Sequence, residues 1–308
     1  MKRFVKKLVI LAKGFLATAR NVNVLTRGQS THDNILQTAH RLEKGLTISK
    51  PRALWGWDKA KALAQLLEKG RGSFAYETGA GVLYAYLDAK KATGDSEEIQ
   101  RADALCAQLQ SKGILQPAEE TGGALKLTAG DVSLSEEEFV AAQKLFFSRH
   151  SIRDYADKDV DNSLILQAIQ IANRCPSACN RQPFHTYVMR AEDRERLGFR
   201  NEMGANKYIL ITGRISAFKS NELNDWIVSA SIFAGYLSLA LHAYGIGSCI
   251  MRKDLINETN YNKTMRNFCA IPANEQIVLE LAIGHYKDEF CAPVSNRVSA
   301  EKIVSFIK

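Results

Sequence analysis

Residues 147–184 read FSRHSIRDYADKDVDNSLILQAIQIANRCPSACNRQPF. Arg149, Ser151 and Arg153 occupy alternate positions, and in an extended segment alternate side chains share one face. Two planar guanidiniums and a hydroxyl on one face suit an anion such as phosphate, which guanidinium grips bidentately. Asp154 and Asp157 offer the rival reading, a solvated ion-pair network of little energetic weight. Downstream, Ile165, Ala168, Ile169 and Ala172 recur at helical spacing, which predicts a helix over 164–174 that Cys175-Pro176 ends. The segment from Pro176 to Pro183 is then dense in hydroxyl and amide groups and held between prolines. The whole layout fits a flat, anionic, partly apolar ligand.

Beyond this stretch the pattern changes to strands. Residues 185–190, 207–213 and 276–284 are short apolar runs of strand length, and Glu280 in the last of them needs a buried partner. From Trp226 to Met251 no Asp, Glu, Lys or Arg occurs. Length alone would permit a bilayer span, but Ser229, Ser231, Gly235, Ser238, His242 and Gly245 interrupt the run and predict a buried central helix.

Upstream the chain reads as helices. The stripe Ile35, Leu36, Ala39, Leu42, Leu46 predicts one over 32–46, and three more follow over 53–69, 73–93 and 96–112. Glu77-Thr78-Gly79-Ala80-Gly81 lacks both a preceding strand and a following Lys-Ser/Thr, so it is not a phosphate loop. Residues 114–134 hold Pro117, Gly122, Gly123 and Gly130 and predict a linker. Ser135 followed by Glu138 is a capping box that opens a second unit. The expected organisation is a helical region 1–113, a linker 114–134 and a second unit 135–308. Within the first, residues 1–20 pattern as a basic amphipathic helix. Lys13 breaks the apolar core a signal peptide would need, which leaves packing on protein or peripheral contact with an anionic membrane.

Composition narrows the functional classes. Residues 1–60 carry a net charge of +9 and the remainder −1, so the basic balance belongs to the N-terminus and predicts no nucleic-acid partner. Six scattered cysteines form no metal-ligand set, so no metal is expected, and free thiols suit a reducing cytoplasm.

Two motifs in order give the chain a family resemblance. Arg149-His150-Ser151-Ile152-Arg153 and Pro176-Ser177-Ala178-Cys179-Asn180-Arg181-Gln182-Pro183 resemble the Arg-x-Ser-x-Arg/Lys and Pro-Ser-x-x-Asn-x-Gln-Pro signatures of the nitroreductase family. The turn Gly245-Ile246-Gly247-Ser248-Cys249 and the strand end Ala282-Ile283-Gly284 agree with it, and the likeness spans about 136–308. It implies an α+β fold: a mixed, mostly antiparallel sheet flanked by helices, preceded here by an α-helical N-terminal region. It also implies FMN as cofactor and NAD(P)H as electron donor.

Carried over, the resemblance places Arg149, Ser151 and Arg297 (with Ser295 beside it) at the flavin phosphate. Arg153 would lie at the pyrimidine end of the ring, with Gly247, Ser248 and Cys249 passing close to it. Pro176, Ser177, Ala178, Asn180 and Gln182 would reach the cofactor from the other subunit of a homodimer. His150, within the phosphate cluster, is structural rather than catalytic. Family members place an Asn and then a Lys before the second strand. Here Asn201 stands for the Asn, while Asn206-Lys207 abut the strand itself.

The expected activity is hydride transfer from NAD(P)H through flavin to a small molecule, with no catalytic side chain assigned. Two rivals follow from the N-terminal region. One is a specialised flavoenzyme acting on a sugar or cell-envelope intermediate; the other is a non-catalytic flavin-binding adaptor at a membrane surface.

Overall fold

The computed structural model describes residues 30–48, 55–115, 121–219, 221–222, 224–252 and 260–307, together with residues 5, 8, 9, 12 and 16. Apart from those five positions, the expected amphipathic helix over 1–20 lies outside the described residues, as do 116–120 of the expected linker.

Four helices come first: α1 (Thr31–Leu46), α2 (Trp57–Leu67), α3 (Phe74–Thr93) and α4 (Ser96–Ser111). Three begin at side-chain caps that satisfy otherwise orphaned backbone donors. Ser30 accepts from the Asp33 N–H, Ser73 from Tyr76 and Asp95 from Glu98. Their apolar stripes close a core of Ile35, Leu42, Leu63, Leu67, Val82, Leu83, Tyr86 and Leu109. Ile114 and Leu115 are buried in the same core. Inside it lies a Lys90–Glu98 ion pair, with the Lys90 ammonium 5.1 Å from the Trp55 ring centroid.

After the single turn α5 (Ala129–Val132) comes α6 (Glu136–Ser148), opened by the Ser135/Glu138 capping box. The sheet unit then runs α7 (Asn162–Ala172), β1 (Phe184–Arg190), α8 (Ala191–Arg196), β2 (Lys207–Arg214), α9 (Asp225–Ala243), β3 (Ile246–Arg252), α10 (Asn260–Phe268) and β4 (Glu275–His285). Helix α7 starts two residues earlier than periodicity suggested because Asp161 caps it, accepting from the Ser163 N–H.

The sheet order is β1-β2-β4-β3, and these strands pair antiparallel throughout. Among the described residues the parallel element is a single bridge, Ser151 to Ser248. Central strand β2 is buried on both faces: Ile209 and Ile211 meet one core with α7 and α9, while Tyr208 and Leu210 face the other. Glu280, fully buried on β4, has its partners: the Tyr261 hydroxyl donates at 2.6 Å and Arg194 lies 3.6 Å away.

The expected central helix is α9. It is long and apolar enough to cross a membrane, yet half of its most apolar window is buried within the protein. Phe233, Ala234, Leu237 and Leu241 form its buried side, and Val228 and Tyr236 remain exposed.

Candidate functional site

Helix α6 ends at Arg149, whose backbone turns extended. The chain then runs beside β3, with the Ile152 N–H donating to the Ser248 carbonyl at 3.0 Å. Ile152 and Tyr155 point inward and are buried, and the Tyr155 hydroxyl donates to the Ile152 and Ala282 carbonyls at 2.8 and 3.0 Å. Burial raises the Tyr155 phenol far above its ordinary range, so it stays a neutral donor. Anchoring the inward residues leaves Arg149 and Ser151 half-buried, and His150 and Arg153 exposed, on the segment that approaches β3.

The rival ion-pair network is not what forms. Asp154 pairs with Lys287 at 2.6 Å. Among the described residues neither Arg149 nor Arg153 is bound to a carboxylate, and Arg153 donates only to the Ser151 carbonyl, at 3.4 Å. Two guanidiniums unspent on protein carboxylates are what a phosphate-binding group requires. Gly247 and Ser248 lie directly alongside, and a Cβ at Gly247 would stand 3.0 to 3.2 Å from Ile152 and the Tyr286 ring. Ser248 is buried, sharing a hydrogen bond with Ser238 of α9 at 3.0 Å, and Cys249 is buried in the core.

The second cluster is the loop from Pro176 to Pro183. Cys179, Asn180 and Gln182 take φ values of 52°, 50° and 45°. Left-handed backbone costs a non-glycine residue about 1–2 kcal/mol, least for Asn, so something must hold this shape. Several bonds do. Ser177 Oγ accepts from the Gln182 N–H at 3.1 Å, Ser229 Oγ from the Ala178 N–H at 3.4 Å, and the Asn180 side chain from Gln182 at 3.3 Å. Buried Arg181 contributes most. It forks onto Glu222 at 2.6 and 3.0 Å, donates to the Ala217 carbonyl at 2.6 Å, and stacks over Phe218 at 4.4 Å.

The two clusters sit at opposite ends of α9. The loop meets it at Ser229, whereas Ser148, next to Arg149, bonds His242 Nε2 at 2.7 Å. Those contacts are thirteen residues apart on the helix, or about 20 Å at 1.5 Å per residue.

Other expected positions are not gathered to either cluster. Asn201 spends its amide on its own turn: Oδ1 accepts from the Ala205 N–H and the Tyr208 hydroxyl, and Nδ2 donates to the Ala205 carbonyl. Lys207 is buried against Asp159 and Asn162, away from the loop. Ser295 and Arg297 lie in an exposed C-terminal segment with local bonds, Ser295 at φ 46°.

Two features were not legible beforehand. Arg181 sits at a motif position where any residue is allowed, and no sequence signal marks Glu222 as its partner. His242 also donates or accepts at Tyr286 (2.7 Å), bridging α6 to the residue just past β4. Burial, then the neighbouring Arg149 and His150 charges, lowers its pKa, which keeps it neutral.

Fold and site together define a nitroreductase-like α+β unit: an antiparallel four-stranded sheet flanked by helices, with extra helices ahead of it. Residues 147–203, which hold both motifs, match the nitroreductase family. The chain thus carries, behind an N-terminal helical extension, a segment similar to that family. A protein of Archaeoglobus fulgidus, provisionally named an NADH dehydrogenase/NAD(P)H nitroreductase, is 28% identical over 156 residues, covering 47% of this chain and 86% of its own. Among solved structures, a nitroreductase family protein of Streptococcus pneumoniae is 22% identical, covering 54% of this chain and all of its own, with a TM-score of 0.44. An FMN-dependent nitroreductase of Clostridium difficile is also 22% identical, covering 54% and 99%, with a TM-score of 0.43.

Proposed function

We propose that this protein is an FMN-dependent oxidoreductase that takes reducing equivalents from NAD(P)H and passes them to a small-molecule acceptor. The observation that carries the reading is the pair of guanidiniums left unspent beside β3, within the segment that matches the family. When bound, FMN supplies the two-electron chemistry. Arg149 and Ser151 hold its phosphate, joined by Arg297, and Arg153 stands at the ring, where a cation favours negative charge. Gly247, Ser248 and Cys249 bring strand backbone close, and Asn201 contributes at most through the turn it holds. Pro176, Ser177, Ala178, Asn180 and Gln182 form the opposing wall.

The same reading makes the protein a homodimer. The two clusters meet α9 at contacts about 20 Å apart along its axis, and on this reading they serve different flavins, so that each site draws on both subunits. Support comes from apolar side chains left exposed in the single chain: Phe139, Val140, Phe146 and Phe147 on α6, and Ile303, Phe306 and Ile307 in the segment after β4. Separate cores support a division into a helical region and a second unit from 135, with the expected boundary at 113 moved outward because Ile114 and Leu115 belong to the helical core. The basic segment 1–20 fits peripheral contact with an anionic membrane, which co-flotation with anionic vesicles would test.

The deciding experiment is a visible spectrum of the purified protein, followed by NAD(P)H addition without oxygen. The visible absorption bands of an oxidised flavin, bleached by NAD(P)H, are expected. A colourless protein that takes up no added FMN would overturn the reading.

A further inference from the structure

The helical extension is not merely appended to the sheet unit, because it grips the loop that carries Ser177, Asn180 and Gln182. Two routes lead there. In the first, Asp33 on α1, 1% exposed, pairs with Arg214 at 2.6 Å. The backbone N–H of the same Arg214 donates to the Pro183 carbonyl at 2.6 Å, closing the end of the loop. In the second, Gln37 of α1 reaches Glu222 Oε1 at 3.5 Å. Glu222 receives the Arg181 fork, and Arg181 Nε donates to the Ala178 carbonyl at 3.2 Å inside the loop. Glu222 is fixed in turn by the Lys219 N–H at 3.0 Å.

Arg181 is 1% exposed, and among the described residues its side chain bonds only to groups that define the loop and the turn beneath it. A guanidinium fork constrains two directions at once, which a flexible ammonium does not. The three left-handed residues on either side of Arg181 would relax if that fork were removed.

We propose that Arg181 is a positioning residue: clamped by Glu222, it holds the 176–183 loop in its cofactor-facing shape, and α1 supplies the second anchor through Asp33 and Gln37. This rests on the cofactor reading given above. It makes flavin affinity dependent on docking of the N-terminal helices, so the extension acts as a structural cofactor-retention element.

The test uses the full chain with Arg181→Met, Arg181→Lys, Glu222→Gln and Asp33→Asn. Backbone amide exchange is followed by mass in the cofactor-free protein. FMN affinity is measured by fluorescence, and the visible circular dichroism of flavin is recorded at saturation. Exchange in 177–182 is expected to rise about tenfold in Arg181→Met and Glu222→Gln, while β2 and β4 stay protected. The FMN Kd is expected to weaken about tenfold, equal to about 1.4 kcal/mol. Arg181→Lys should recover only part of this, Asp33→Asn should show a smaller effect, and the flavin dichroism should change shape even when saturated. Loss of stability alone would not alter that signature. Should Arg181→Met fail to fold, the near-isosteric Glu222→Gln carries the comparison. Unchanged loop exchange in a folded Glu222→Gln overturns the clamp, and a loosened loop with wild-type FMN affinity and dichroism overturns the positioning role. A wild-type chain that binds no FMN sinks the cofactor reading instead, and the exchange data still decide the clamp.

Discussion

Ser151 is bridged to Ser248 in parallel, the next amide along, that of Ile152, closing the bond at 3.0 Å. That one contact turns a pattern of alternate residues into a surface. It fixes the Arg149–Arg153 segment onto the edge strand β3, and Ser248 passes the restraint to Ser238 of α9. The guanidiniums therefore project from a backbone locked by core packing of Ile152 and Tyr155, so the backbone's cost of ordering is met before any ligand arrives.

Replacing Arg149 by Ala should weaken FMN retention by about 1.5–3 kcal/mol, the worth of a charge-assisted hydrogen bond, or roughly tenfold to a hundredfold. Arg297→Ala should do the same, although in the single chain Arg297 bonds only its own neighbours, Ser295 and Asn296, among the described residues. Fluorescence titration with FMN reads both. Wild-type affinity in the two variants would remove the phosphate assignment.

What could be read beforehand follows from how far each signal reaches along the chain. Helices α1, α3 and α4 were legible because their apolar spacing is local, whereas their caps Ser30, Ser73 and Asp95 emerged only in the structure. Strand β2 was legible because a strand buried on both faces is apolar at nearly every position. The Arg149 cluster and the 176–183 loop stood out as motifs, but their separation along α9 did not, since Ser229 and His242 carry no mark of which loop each touches. Arg181 was missed because its partner lies 41 residues away and its motif position is unconstrained. The expected Asn201 contact ignored the competing turn, in which Ala205 and Tyr208 already occupy its amide.

Within the helical extension, Gly79 sets a close crossing. A Cβ there would stand 2.6 Å from Ile35 Cγ2, 3.1 Å from Leu67 Cδ2 and 3.4 Å from Leu63 Cδ1. Alanine would gain about 1 kcal/mol of helix propensity. Overpacking a buried crossing costs about 1–3 kcal/mol, and with three branched neighbours this steric cost should outweigh the gain. Gly79→Ala should therefore lower the denaturation midpoint. A raised midpoint would show that α1 and α2 yield easily.

Hydrogen bonds from Arg181, then from the Lys219 amide, hold the Glu222 carboxyl below its ordinary value of 4.5. A depressed carboxylate stabilises the fold above its unfolded pKa, and that contribution disappears as pH falls through the folded value. The stability gap between wild type and Glu222→Gln, on the order of 1.5 kcal/mol, should stay level from pH 7 to about 5 and shrink below 4.5. Denaturant unfolding across that range measures it; a gap that grows on acidification would mean that Glu222 is not the ionised partner of Arg181.

Gly235 tests the dimer from inside α9. In the single chain an added Cβ there meets nothing within 4 Å, and the position is exposed. Taken alone, the chain predicts that Gly235→Ala stabilises it by about 0.5–1 kcal/mol, since glycine is a poor helix former. A dimer built on α9 predicts the reverse, because small residues allow two helices to approach closely and a methyl group would hold them apart. The exposed Val228 and Tyr236 on the same helix extend that apolar surface. We therefore expect Gly235→Ala to leave the helix intact by circular dichroism while shifting the monomer–dimer balance toward monomer in light scattering. On the proposed shared site, FMN retention should fall in step. A variant that gains stability and remains as dimeric as wild type would place the subunit contact elsewhere than at this turn of α9.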